Sequence, residues 1–197
     1  MPSAENIQTY LAGVWKLMNG RQDGLRQLDL TIDGFWNSFF AIFVALPALG
    51  VGWVSFANEL AGGDPFAYRL WILAKLAVID LISWVGPIVL FALLARPVGL
   101  IDRFVPYVVA SNWASAVFAW FLLPPALIDL FWPESVDVTD LVSLVAIIVT
   151  LVFAWRLTNA VIARGAAVAT AVFFAMIAVS VAILLVLQPM LGLVPGT

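Results

Sequence analysis

The chain has 197 residues, of which 64% are hydrophobic and 11% charged, and its net charge is −3. Soluble domains carry about a quarter charged residues, so these polar side chains are too few to cover a water-facing surface, and a mean hydropathy of +1.08 points to lipid as the solvent. Cys and His are both absent, which excludes a disulfide framework, thiol chemistry and the usual zinc, copper and haem ligands. Any acid–base work falls to carboxylates. No basic run is long enough to suggest nucleic acid, and no cofactor is expected.

Met1–Asn6 has no basic region and no long apolar stretch follows it, so a cleavable signal peptide is not expected. From Ser3 to Asn19, Ile7, Tyr10, Leu11, Val14, Leu17 and Met18 recur at helical spacing, with Asn6, Gln8, Thr9 and Lys16 largely opposite. Ser3 suits an N-cap and Gly20 a C-terminal stop. The pattern, with Trp15 near its margin, predicts an amphipathic helix on the cytoplasmic membrane surface, burying Ile7, Leu11, Val14 and Met18. Such a helix can sense lipid or dock a partner; packing under its own bundle as a doorstop is the preferred reading.

Arg21–Asp33 alternates charges in sign, and its Leu25, Leu28, Leu30 and Ile32 can face the membrane. A flexible tether would be richer in Gly and Ser, so order is expected, with Thr31 or Asp33 capping the first span.

Five segments reach the roughly 20 apolar residues that a spanning helix needs: about 35–56, 70–95, 104–123, 141–163 and 166–193. The fold class is therefore an all-α integral membrane protein. Residues 1–33 form a surface segment and residues 34–197 a five-span membrane domain. Pro124-Pro125 should break the third span, with a short helix restarting over Pro125–Trp132. Pro47 and Pro87 should kink the first two spans. Arg164-Gly165 is tight enough to make the last two helices an antiparallel hairpin.

Lys16, Arg21, Arg26, Arg96, Arg103, Arg156 and Arg164 fall toward one side of the spans. The other side has Arg69 and collects Glu59, Asp64, Glu134, Asp137 and Asp140. Cytoplasmic loops are enriched in Lys and Arg, which places the N-terminus inside and the C-terminus outside.

Charged groups inside the hydrocarbon cost about 2.5–3.5 kcal/mol each at a helix centre. Lys75 and Asp80 on the second span and Arg156 on the fourth stand out. By helix rise, Arg156 lies about 12 Å in from Arg164, at the level of Asn112, and Asp80 about 20 Å in from Ala95. An extended Arg side chain bridges much of that gap. The expectation is a buried cluster of Asp80, Ser83, Asn112, Arg156 and Asn159 where the second, third and fourth spans meet. Its transport reading makes Asp80 a proton or cation site; an interhelical ion pair that fixes packing is preferred, given a single Asp and no His relay. Lys75 is expected to snorkel to the outer headgroups and Asp129 to face the outer interface. Ser111, Ser115 and Ala119 on the third span, and Ala167, Ala171 and Ala175 on the fifth, are expected to mark close helix contacts.

Five spans, a membrane-associated N-terminal segment, an N-in and C-out arrangement and the stretch Pro106-Tyr107-Val108-Val109-Ala110-Ser111-Asn112-Trp113-Ala114 together resemble the bacterial branch of the Yip family of five-span membrane proteins. The resemblance covers roughly Gly34 to Leu193. It implies a role in membrane organisation in a bacterial cytoplasmic (inner) membrane and supplies no catalytic residue.

No phosphate loop, nucleophile–base pair or metal-ligand spacing is present in the sequence, so an enzyme is not expected. The leading expectation is a scaffold or accessory subunit whose partners are the bilayer and other membrane subunits, or further copies of itself. The alternatives are a small transporter or channel built on Asp80 and Arg156, or a lipid-handling protein. An odd number of spans does not divide into a simple two-fold internal repeat.

Overall fold

The computed structural model describes residues 1–63 and 65–193, and every regular element among them is helical. Asp64, one of the acidic positions used above for topology, and the C-terminal Thr197 lie outside the described residues. Five helical stretches are long and apolar enough to cross a membrane: Ile32–Ala61, Phe66–Ala95, Ile101–Phe131, Val136–Ile162 and Ala166–Met190. This is the architecture of a multi-pass membrane protein.

Helix α1 (Ala4–Met18) starts where Ser3 Oγ accepts from the Asn6 N–H at 3.2 Å. Glu5 in its first turn and Lys16 in its last complement the helix dipole. The chain reverses at Gly20, whose φ is +78°, and a short 3-10 helix (Gln22–Gln27) folds back onto α1. The reversal depends on a close backbone approach, because a Cβ at Gly24 would overlap the Gly13 carbonyl oxygen. The connector is thus ordered, as its composition predicts. Arg21 pairs with Asp23 at 2.9 Å and holds that carboxyl below the usual carboxylate range. Of the four apolar connector residues, Leu28 is buried and Leu25 half-buried against the bundle, while Leu30 and Ile32 are exposed.

Thr31 is the cap of the first span. Its Oγ1 accepts from the Gly34 N–H at 3.1 Å, and Asp29 in turn accepts from both the Thr31 N–H and its hydroxyl. This span is divided into α2 (Ile32–Ser38) and α3 (Ala41–Ala61). Neither Pro nor Gly stands at the joint. The Phe39 and Phe40 N–H groups bond three residues back, to Trp36 and Asn37, and the Ser38 hydroxyl donates to the Phe35 carbonyl. The helix tightens there into a 3-10 turn.

Helix α4 (Phe66–Ala95) and helix α7 (Val136–Ile162) begin four and five residues earlier than hydropathy predicts. Helix α5 (Ile101–Phe121) gives way at Leu122 to α6 (Leu123–Phe131), because Pro124 and Pro125 donate no backbone hydrogen bond. Ala163 in the left-handed region and Gly165 at φ +94° turn the chain directly into α8 (Ala166–Met190), the expected hairpin.

Helix α5 is the central helix. It buries Tyr107, Val108, Ala110, Asn112, Trp113 and Ala116 among its neighbours. A second, smaller apolar cluster joins α3, α4 and the end of α8 through Ala57, Ile72, Ile79 and Leu193. On α8 the stripe expected to make close contacts does not make them. Ala167, Ala171 and Ala175 are exposed, and the buried residues are Ala169 and Phe173. Two positions turn a helix by about 200°, so the alanine stripe lies away from the buried side.

Helix α1 packs on the flank of the bundle. Tyr10 meets Trp113 at 5.2 Å between ring centroids, and Trp15 meets Phe153 at 5.5 Å and Phe121 at 6.2 Å. Arg164 and Asp102 pair at 3.0 Å where α7 ends and α5 starts. From that level Trp113 stands about 16 Å up α5 and Arg156 about 12 Å up α7. The helix therefore lies alongside α5 and α7 rather than beneath the helix ends, which corrects the expected doorstop position. Val14, Leu17 and Met18 are fully buried in this contact, and Ile7 and Leu11 are half-buried. The apolar face of α1 is spent largely on protein.

Candidate functional site: a polar cavity among four helices

Asn112 is the only Asn among the fully buried side chains of the described residues, and it sits at the centre of the bundle. Its Oδ1 accepts from Trp84 Nε1 at 2.8 Å, and its Nδ2 donates to Ser38 Oγ at 2.9 Å. One side chain on α5 thereby ties α2 and α4. In an apolar interior, leaving these groups unpaired would cost more than the bonds yield.

Beside Asn112 opens a cavity of about 290 Å³ between α4, α5, α7 and α8. Ser83, Tyr107, Ser111, Asn112, Ser115, Thr158 and Ser180 are the hydroxyl and amide residues of its lining, and none of the residues lining it carries a formal charge. Three hydroxyls turn their protons back to their own helices: Ser111 to the Val108 carbonyl at 3.1 Å, Ser115 to that of Ser111 at 2.9 Å, and Thr158 to that of Ala154 at 2.8 Å. Ser83 Oγ is buried and has no hydrogen-bond partner.

Of the five residues expected to cluster, Ser83 and Asn112 share this cavity. Asp80 does not join them. Its Oδ2 accepts from Trp53 Nε1 on α3 at 2.7 Å. Arg156 is also elsewhere, with Nη2 donating to the Asn19 carbonyl at the end of α1 at 2.8 Å. Asn159 is half-buried near the end of α7, where its backbone carbonyl accepts from the Ala163 N–H. Ion pairs among the described residues involve Asp23 and Asp102, not Asp80. The physical reason lies in helix azimuth. Thr158 faces the cavity, so Arg156, two residues earlier and turned by about 200°, faces α1.

Two further expectations change. The Lys75 ammonium donates to the Leu191 carbonyl at 2.6 Å and lies 5.6 Å over the Trp71 ring. It caps the C-terminal end of α8 instead of snorkelling freely. Asp129 on α6 bonds the Ser55 hydroxyl on α3 rather than facing outward.

Trp53, Trp84 and Ser38 are the partners that sequence reasoning missed. Read singly, the tryptophans fit the pattern of interface anchors. The usable signal was that a Trp N–H inside an apolar span needs an acceptor, and that Asp80 and Asn112 are the polar groups able to supply one at depth.

Comparison of the chain with protein-family models, with curated proteins and with solved structures found no match.

Proposed function

We propose that the chain is a non-enzymatic membrane scaffold or accessory subunit of a membrane assembly. One observation carries this reading: Lys75, Asp80, Asp129 and Arg156 are each engaged by a neighbouring element. Asp80 holds α3 through Trp53, Lys75 holds the end of α8, Asp129 holds Ser55, and Arg156 holds α1. Groups engaged in this way fix helix packing, and a proton or ion path built on Asp80 with Arg156 loses its central pair.

The surface available to a partner is the apolar groove between α4 and α8. Leu94, Val98, Ala167, Ala171 and Ala175 line it, and small side chains let a second helix approach closely. The Arg-bearing end, with Arg96, Arg103 and Arg164, supports a cytoplasmic N-terminus, and Glu134 and Asp137 mark the opposite end. The five-span Yip-like pattern accords with a role in membrane organisation in a bacterial cytoplasmic membrane.

Gentle detergent extraction from native membrane, followed by sizing and identification of co-purifying chains, tests the proposal. The expected result is an assembly larger than the chain alone that dissociates in Ala171→Leu, a change at an exposed position in the groove. A lone monomer or dimer, unaffected by Ala171→Leu, contradicts the scaffold reading and returns weight to transport.

A further inference from the structure

We propose that the turn closing α1, together with the Arg156 guanidinium, is a binding site for the phosphate group of an anionic phospholipid whose acyl chain lies along α7. This inference does not rest on the scaffold reading.

The site is built on a cation that is only partly engaged. Arg156 Nη2 donates to the Asn19 carbonyl at 2.8 Å, and a Cβ at Gly20 would stand 3.4 Å from the same nitrogen. The turn therefore sits against the guanidinium and uses one of its five N–H groups. The rest have no partner among the described residues and reach the surface, whereas the Nε atoms of Arg69 and Arg103 are enclosed. Lys16 and Arg21 flank the same turn. Both act on Asp23, whose carboxyl is held low first by the Arg21 hydrogen bond and further by the Lys16 charge. Three cations thus gather at a turn with one carboxylate, and neither Lys16 nor Arg156 has an ion pair among the described residues. A planar guanidinium suits two phosphate oxygens at once. The excess positive charge favours a headgroup of net negative charge over a zwitterionic one, whose own cation would face Lys16 and Arg21.

The setting identifies the anion as lipid. Charged side chains on this turn are too costly for hydrocarbon, so the headgroup region reaches the level of Arg156 on this flank. Above that level α7 is apolar. At about 100° per residue, positions 145, 149, 152 and 156 fall within an arc of about 60°, and Val145, Val149 and Val152 are exposed. The guanidinium therefore stands at the foot of a lipid-facing stripe, the register that a phosphate and its acyl chain require. Trp15 closes one side of it. This residue is exposed on α1 yet meets Phe153 at 5.5 Å and Phe121 at 6.2 Å between ring centroids, an aromatic wall about one turn above Arg156. A soluble phosphate would use the cations and leave this surface bare.

The experiment uses the full chain purified in a non-ionic detergent, with thermal unfolding followed by tryptophan fluorescence. Dioleoyl phosphatidylglycerol is the probe. Dioleoyl phosphatidylcholine controls for the acyl chains, and glycerol 3-phosphate for a free anion. Phosphatidylglycerol should raise the Tm saturably and by more than phosphatidylcholine, and glycerol 3-phosphate should have no effect at the same concentration. The half-saturating phosphatidylglycerol concentration should rise roughly tenfold in Arg156→Gln and roughly fivefold in Lys16→Gln. The second variant leaves the Arg156–Asn19 bond in place, so it separates lost lipid binding from lost docking of α1. Arg96→Gln, which removes an exposed cation after α4, should leave the response unchanged. Equal stabilisation by the two lipids, an equal effect of glycerol 3-phosphate, an undiminished response in Lys16→Gln, or a response lost in Arg96→Gln would overturn the proposal. The lipid comparison on the parent chain and the Lys16→Gln result stand even if Arg156→Gln fails to fold.

Discussion

The Arg156 guanidinium on α7 donates to the Asn19 backbone carbonyl at 2.8 Å, across 137 positions of sequence. The bond joins a cation in the last third of a spanning helix to the exposed carbonyl end of α1, where cations are favoured by the helix dipole. Arg156 therefore belongs to the docking of the N-terminal segment. Replacing it with Gln should lower stability by about 1 kcal/mol. Hydrogen exchange should rise over residues 10–24 while α4 and α8 stay protected.

Gly24 offers a sharper test of the same docking. A Cβ there meets the Gly13 carbonyl oxygen and the Leu17 and Lys16 side chains, and backbone cannot yield as a flexible side chain can. Gly24→Ala should cost about 1–3 kcal/mol and release α1 to proteolysis. Gly50→Ala is the control, because nothing lies within 4 Å of a Cβ at that position. A helical Ala there should be neutral or stabilising by up to about 1 kcal/mol.

Asn112 should be the most sensitive polar residue in the bundle. Asn112→Leu leaves the Trp84 N–H without its acceptor and Ser38 Oγ without its donor, at about 1–3 kcal/mol for each buried group left unpaired. The Trp84 emission should shift as its environment changes. Ser38→Ala removes only one of the two ties and should cost less.

Topology can be read directly, since the chain has no native Cys. In intact cells, Ser135→Cys should react with an impermeant thiol reagent and Gln22→Cys should not. Labelling at position 22 reverses the orientation argued from the Arg distribution.

Hydropathy made the five spans legible because each must cross the same apolar thickness. It did not reveal where helices continue beyond that thickness. Phe66, Tyr68 and Arg69 open α4 in a mixed-polarity turn, and Val136 and Asp137 do the same for α7. The break at Phe39-Phe40 carries no Pro or Gly signal, because it arises from local bonds around Ser38. For the site, helix rise correctly put Arg156 and Asn112 at a similar depth, yet depth alone does not assign neighbours. Which face of α7 meets α1 and which meets α5 is decided by packing, and α1 was expected elsewhere. Ser83 and Asn112 were legible as a pair; Trp53 and Trp84, which satisfy Asp80 and Asn112, were hidden among nine tryptophans.

The central claim is that the intramembrane charges are packing ties, and Asp80 tests it most directly. Trp53 Nε1 donates to its carboxyl group at 2.7 Å, whereas Arg156 is engaged with α1. Two double-mutant cycles in detergent unfolding separate the alternatives. Asp80→Asn with Trp53→Phe should show coupling of about 1 kcal/mol or more, the double variant losing less than the two single losses added. Asp80→Asn with Arg156→Gln should be additive within about 0.5 kcal/mol. Additivity with Trp53 together with strong coupling to Arg156 would contradict the account and restore a buried ion pair at the centre of the protein.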